Sequence, residues 1–393
     1  MNKNYRKGQS VIKTLLENGY QAYFVGGFVR DRLLNKEAND IDITTDALPN
    51  EVMKLFSKTK ATGIKYGTVT VFIGASQFEV TTFRADMDYL DHRRPEKVVY
   101  SKSIEEDLKR RDFTINAFAM SLDENIVDLF NGRQDLDNHL IRAIGIPDIR
   151  FKEDALRILR AFRFVSKLGF DIEENTFISI KKNIELLSKI AIERILDEFK
   201  KIMEYSYKEK AIKLMFEANI FKAFPELEKG LALLNKKTNY MMNYLEFFSL
   251  CYYLENIDIP LNWRFSNKEK AIINKIIELV TVTEHDRYNE MIIYRLGKDI
   301  PLMANNVSRL INPNNDQEEL IVNIYKSLPI YRTCDLKFKG QDILDLTTLN
   351  NAEVIGDIID DITYQVITNK LNNNYDEIRS YVMSLLENKY DKE

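Results

Sequence analysis

Two carboxylates, Asp40 and Asp42, lead into a short β-branched run two residues apart. On a strand that spacing projects both side chains from one face, where they can hold one or two hard divalent cations through oxygen. Two Mg²⁺ ions held this way would activate an attacking hydroxyl and stabilise a leaving pyrophosphate. Just upstream, Gly26-Gly27 closes one strand-like run and opens a helix-like one, followed by Arg30 and Asp31. Adjacent glycines let backbone N–H groups approach a phosphate at a helix N-terminus, and Arg30 one turn on can add a charge-assisted bond. A third block, Arg110-Arg111-Asp112-Phe113-Thr114-Ile115-Asn116-Ala117, adds bidentate donors for phosphate oxygens. Its Asp112 and Asn116 are candidates for reading ribose hydroxyls. Taken alone, a Gly-Gly pair is a turn and Asp-x-Asp a solvated strand end; their succession in this order is what points to chemistry.

The block Glu153-Asp154-Ala155-Leu156-Arg157-Ile158-Leu159-Arg160-Ala161-Phe162-Arg163-Phe164 reads as part of one helix, Glu153 to Leu168. At helical spacing Asp154 and Arg157 fall at i and i+3 on one face, Arg160 flanks them, and Arg163 lies further round. An ionised Asp only accepts and an Arg only donates, so the pair matches a base with an exocyclic amino donor beside a ring-nitrogen acceptor. Cytosine and adenine present that arrangement; uracil and guanine present the reverse. The plain alternative is a surface ion pair.

These groups need elements to hold them. Strands read at Ala22 to Val25, Ile41 to Thr45, Thr68 to Ile73 and Gln77 to Phe83, and helices at Val11 to Asn18, Phe28 to Leu34 and Asn50 to Phe56. The short link after Ile73 implies a hairpin and hence a mixed sheet. From about residue 137 helical periodicity takes over, for example at Ile192 to Glu204, Lys268 to Val280 and Tyr375 to Glu387. With 393 residues the chain exceeds one core. Two cysteines, Cys251 and Cys334, without CxxC spacing, leave no thiolate zinc site and suit a reducing compartment. No window approaches a membrane span, and the amphipathic N-terminus does not read as a signal peptide, so a cytoplasmic protein is expected. Fifty-six Lys and Arg against 60 Asp and Glu argue against a protein that coats nucleic acid. The charge is nevertheless segregated. Residues 93–111 hold seven bases against four acids, residues 150–167 six against two, and residues 340–362 six acids and no base.

In five blocks, in order, the chain resembles the class II tRNA nucleotidyltransferases, the CCA-adding enzymes, with poly(A) polymerase as sister family. They are Gly26 to Asp31, Asp40 to Asp42, Arg110 to Ala117, Glu153 to Ala161 and Glu193 to Phe199. The resemblance implies an α+β fold: a polymerase-β-like head with a mixed sheet over 1–137, then a helical neck (138–205), body (206–272) and tail (273–393). It assigns Asp40 and Asp42 as Mg²⁺ ligands and Glu79 as a third catalytic carboxylate. Gly27, Arg30 and Arg111 would take the triphosphate, Asp154 and Arg157 would select CTP and ATP, and Arg160 and Arg163 would complete the nucleotide site. The Glu193 to Phe199 helix is expected only to support the neck. Arg84 to Pro95 resembles a mobile loop that separates full CCA addition from C-only addition, and the mixed-charge end at Glu387 to Glu393 differs from the basic tail of poly(A) polymerases. The implied partners are tRNA lacking its 3′ CCA, CTP and ATP, with the protein a monomer or homodimer. A tRNA nucleotidyltransferase that adds only A, a poly(A) polymerase, or a catalytically silent RNA-binding protein on the same fold stands as the alternative.

Overall fold

The computed structural model describes residues 3–38, 40–85, 99–283, 286–346 and 352–389. They form two compact units, 1–236 with 262–264, and 237–261 with 265–393. Most of the loop-like segment, and residues 390–393 of the terminal one, lie outside the described residues.

The first unit opens with α1 (Lys3–Glu17), whose buried Tyr5, Gly8, Val11, Ile12 and Leu15 form one helical stripe. The helix begins earlier than expected because Tyr5 and Gly8 extend that stripe. Next come β1 (Ala22–Val25), α2 (Gly27–Leu33), β2 (Asp42–Thr45), α3 (Pro49–Leu55), β3 (Thr59–Gly63), β4 (Thr68–Ile73) and β5 (Ser76–Thr82). After the two-residue strands β6 (Arg84–Ala85) and β7 (Val99–Tyr100) follow α4 (Ile104–Lys109), β8 (Phe118–Met120), β9 (Ile126–Asp128) and α5 (Gly132–Asp137). Seven strands make one sheet in the order β3-β4-β5-β2-β1-β8-β9. Its β2–β5 pair is parallel and the rest antiparallel, so the sheet is mixed as expected. β3, β8 and β9 had no sequence signal strong enough to read. β3 is an edge strand of mostly exposed Thr, Lys and Ala, and β8 is three residues long.

The helical part of this unit starts with β10 (Leu140–Ile141), α6 (Pro147–Glu153), α7 (Leu156–Leu168), β11 (Asp171–Ile172), α8 (Glu174–Asn183) and α9 (Ile192–Glu204). Here the expectation of a single helix from Glu153 to Leu168 is corrected. Asp154 is extended, at φ −144° and ψ 100°, and ends α6. Its Oδ1 then accepts a hydrogen bond from the Leu156 amide at 3.2 Å, so a carboxylate that favours helix starts opens α7. Further on, Trp263 is fully buried beside Phe199 and Phe224, and its Nε1 donates to Glu226 at 2.5 Å.

The second unit is helical throughout its described residues, with its longest helices at Asn267–Thr283, Ala352–Ile367 and Tyr375–Lys389. Asn243 and Glu246 form a reciprocal cap at the start of the Tyr244–Glu255 helix. Phe248 packs against Tyr252 and Phe265, and Phe338 against Tyr375. Among the described residues no helix is long and apolar enough to cross a membrane.

Candidate active site

A cleft of about 920 Å³ opens in the first unit, and every site residue read from the sequence lines it. On its sheet side, parallel pairing sets Asp42 of β2 opposite Glu79 of β5, so the two carboxylates leave the same face. Asp40 lies two residues before Asp42, ahead of the strand. Asp42 is accessible from the cleft yet walled by protein. Desolvation, then the charges of Glu79 and Asp40, push its carboxyl up to about 6 against the pull of Arg111.

That unrelieved crowding of hard oxygen donors fits a divalent cation. Among the described residues no three His, Cys, Asp or Glu side chains make a ready-built cage. Mg²⁺ is commonly held by one or two carboxylates plus substrate phosphates, so the donor set is compatible with it.

Gly26 sits at the start of α2 with φ +66°, a conformation costly for any residue with a Cβ. A Cβ there would also lie 3.1 Å from Arg111 Nη1. Arg30 is committed elsewhere. Its Nε donates to Asp31 Oδ1 at 2.8 Å, its Nη1 to Asn116 Oδ1 at 2.6 Å, and it is 2% exposed. Arg111 instead gives Nη2 to Asp107 at 3.0 Å and keeps a buried Nε without a partner.

Asp112 and Asn116 are also heavily engaged. Asp112 Oδ1 accepts from the Phe113 amide and Asn116 Nδ2, and Oδ2 accepts from Arg160 Nε at 2.7 Å. Burial alone would raise the Asp112 carboxyl, but Arg160 and these donors hold it far below the usual carboxylate range. The pair therefore orients Arg160 and Arg30, with few acceptor positions left for a ribose. Phe164 ties these cations together, its ring 5.4, 5.9 and 4.7 Å from the guanidinium carbons of Arg30, Arg160 and Arg163.

Because Asp154 precedes α7, the Asp154–Arg157 pairing is not an i,i+3 helical pair, which corrects the sequence reading. Each residue is held by a different neighbour. Arg157, 8% exposed, donates Nη2 to the Arg110 carbonyl at 2.9 Å and pairs through Nη1 with Glu153 at 3.2 Å. Asp154 Oδ2 accepts from Arg194 Nη2 at 3.1 Å. Both still reach the same cleft.

Arg194 belongs to α9, which was expected only to support the fold. Its Arg194, Asp197, Glu198 and Lys201 all line the cleft, while Ile195, Phe199 and Ile202 are buried. Arg163 Nε lies 2.8 Å from Glu198 Oε2. The spacing 194, 197, 198, 201 is a charged helical stripe, and that was the signal available. Periodicity assigns a face, not what the face meets. Lys167, 3.5 Å from Asp31, also lines the cleft and was not singled out.

Known proteins resemble this chain over nearly its whole length. The family model described as Poly A polymerase head domain matches residues 22–142, and that of tRNA nucleotidyltransferase domain 2 matches residues 248–382. The chain is 36% identical to a CCA-adding enzyme of Bacillus cytotoxicus, over 97% of this chain and 98% of the other. It is 38% identical to that of Lactobacillus helveticus, over 96% and 97%. Among solved structures, the CCA-adding enzyme of Bacillus stearothermophilus in complex with CTP superposes with TM-score 0.83 at 30% identity, covering 100% of both chains.

Proposed function

Because the chain belongs to the CCA-adding enzymes, nucleotidyltransferases that act on tRNA, we propose that it adds C, C and A to tRNA 3′ ends without a nucleic-acid template. The tRNA terminal 3′-hydroxyl attacks the α-phosphate of CTP or ATP, forming the new ester and releasing pyrophosphate. The observation that carries this reading is the one cleft that gathers the Asp42–Glu79 pair, the Arg111 donors and the Asp154–Arg157 pair.

In this reading Asp40, Asp42 and Glu79 are the groups that would hold Mg²⁺. When bound, the ion makes the attacking hydroxyl more acidic and neutralises charge on the phosphates. Gly27 and Arg111 receive the triphosphate. Arg30 acts through Asn116 and Asp31 as part of the wall behind them. Asp154 accepts from the exocyclic amino group of C or A and Arg157 donates to the ring nitrogen beside it, so U and G meet like against like. Arg160 and Arg163, held by Asp112 and Glu198, complete the nucleotide site. No covalent enzyme intermediate is needed, since positioning and charge carry the transfer.

We extend the proposal to a head, neck, body and tail at 1–137, 138–205, 206–272 and 273–393, and to a cytoplasmic monomer or homodimer. The deciding experiment offers labelled CTP or ATP to tRNA ending before CCA or after CC. Ordered incorporation of C, C and one A is expected; incorporation of A but never C would make it an A-adding enzyme.

A further inference from the structure

Asp107, the last acidic residue of α4, is fully buried, which is unusual for a carboxylate unless it is paired. It gathers donors from three residues that line the cleft. Oδ1 accepts from Arg110 Nε at 2.9 Å and from the Arg84 amide at 3.2 Å, and Oδ2 accepts from Arg111 Nη2 at 3.0 Å. Arg110 and Arg111 hold the Asp107 carboxyl below its ordinary range although burial alone would raise it.

The Arg111 guanidinium is the informative partner. On one side it is tied to Asp107. On the other, Nη1 lies 3.1 Å from the point a Cβ on Gly26 would occupy, so a side chain there would crowd it. Among the described residues Arg111 makes one side-chain hydrogen bond, that to Asp107, and its buried Nε has no partner. The Arg111 side chain is 19% exposed and lines the cleft, so the guanidinium donors that Asp107 leaves over call for an anion there. Arg30, with its donors on Asp31 and Asn116, makes no such demand.

We propose that Asp107 is a positioning residue of the nucleotide site, a buried carboxylate that fixes Arg111 in the pose that receives the triphosphate. It touches neither base nor reacting atoms; it removes the rotameric freedom Arg111 would otherwise lose on binding. The inference rests on the reading of Arg111 as a triphosphate ligand. Because the triphosphate is common to all four nucleotides, the effect of Asp107 is blind to the base, unlike that of Asp154 and Arg157.

The test is steady-state addition of CTP and ATP to tRNA by the full chain carrying Asp107→Asn, Arg111→Ala or both, with inorganic tripolyphosphate as a base-free competitor. Partners that orient metal ligands are worth about 10- to 100-fold; with the low end of that range taken for an oriented guanidinium, Asp107→Asn should raise KM for CTP and ATP by the same factor of about tenfold. The inhibition constant of tripolyphosphate should rise with them, kcat should change little, and CTP-over-GTP preference should stay unchanged. In the Arg111→Ala background Asp107→Asn should add nothing. Independent, multiplying effects of the two changes, unaltered KM in Asp107→Asn, or lost base preference would each overturn the proposal. Unaltered KM in Arg111→Ala would overturn it through its premise. Should Asp107→Asn fail to fold, Asp107→Glu, which keeps the charge but displaces it, reads the same KM and tripolyphosphate shifts, and no shift there would be equally fatal.

Discussion

At the scale of single residues, the site combines groups that function needs with groups that folding would rather lose. Asp42 carries the clearest mark of this, its carboxyl raised to about 6 by its walls and by Glu79 and Asp40. A raised carboxyl binds its proton more tightly folded than unfolded, so its ionisation subtracts stability as pH rises from about 4 through 6. Asp42→Asn should therefore abolish nucleotide incorporation yet raise the stability of metal-free protein at pH 7. After screening at this accessible side chain the gain is about 1 kcal/mol, read as a higher melting temperature. A lower melting temperature would refute that origin of the shift. The same proton competes with a cation. At subsaturating Mg²⁺, activity should fall up to about tenfold per pH unit below 6 and recover when Mg²⁺ is raised. Double replacement of Asp40 and Asp42 by Ala should leave tRNA binding intact, measured by filter retention. Base choice belongs to other residues. Arg194→Ala frees the Asp154 carboxylate, so GTP and UTP misincorporation should rise with little change in CTP KM.

At the scale of elements, the residues are placed by packing that single substitutions can probe. Gly132 opens α5 so close to the turn at Thr114–Asn116 that a Cβ would stand 2.4 Å from the Thr114 carbonyl oxygen. Gly132→Ala should cost about 2 to 3 kcal/mol by overpacking, visible in denaturant melts, and should loosen Asn116 two residues on. Elsewhere Asp148, at the start of α6, accepts from Ser179, Lys182 and Asn183 of α8, and those bonds lower its carboxyl to about 2. A lowered carboxyl stabilises the fold above about pH 4 and loses that contribution as pH falls toward 2. Asp148→Asn should cost about 1 kcal/mol at neutral pH, the ion pair being partly exposed, and nothing near pH 2.

The same packing explains what could be read from sequence. β4 and α9 were legible because a β-branched run or a 3.6-residue stripe marked them. β3 was not, since an edge strand needs no apolar alternation. The break at Asp154 was not either, because it carries no Gly or Pro. There Asp154 turns extended and its Oδ1 accepts from the Leu156 amide ahead of α7, which moves Asp154 out of line with Arg157 while keeping both in the cleft. The site's residue types were thus legible, while the pairings that orient them, Arg194 to Asp154 and Asp112 to Arg160, were not, because they join residues dozens of positions apart.

At the scale of the whole molecule the question is how a chain of formal charge −4 draws in polyanions. The sequence windows 93–111 and 150–167 are net positive, but the folded cleft is more balanced. Among the described residues ten Lys and Arg and nine Asp and Glu line it, a net of about +1. Most of the cations are already spoken for: Arg160 by Asp112, Arg163 by Glu198, Arg194 by Asp154, Arg30 and Lys167 by Asp31, Arg157 by Glu153, and Arg110 and Arg111 by Asp107. A nucleoside triphosphate arriving without a cation would therefore meet Asp40, Asp42 and Glu79 nearly uncompensated. Divalent binding at those carboxylates would change the net by +2 per ion, which is a large fraction of the local field in a partly desolvated cleft. Nucleotide affinity should then depend on the divalent ion even when no reaction occurs. With tRNA omitted, calorimetric binding of CTP should strengthen at least about tenfold on adding Ca²⁺ or Mg²⁺ to chelator-treated protein, as 1.4 kcal/mol of relieved repulsion requires. Glu79→Gln should blunt that increase by weakening CTP-bound cation retention and by removing one of the charges that makes it necessary. If CTP binds equally well with chelator, the cleft's balance is not set by these carboxylates, and their grouping serves chemistry alone.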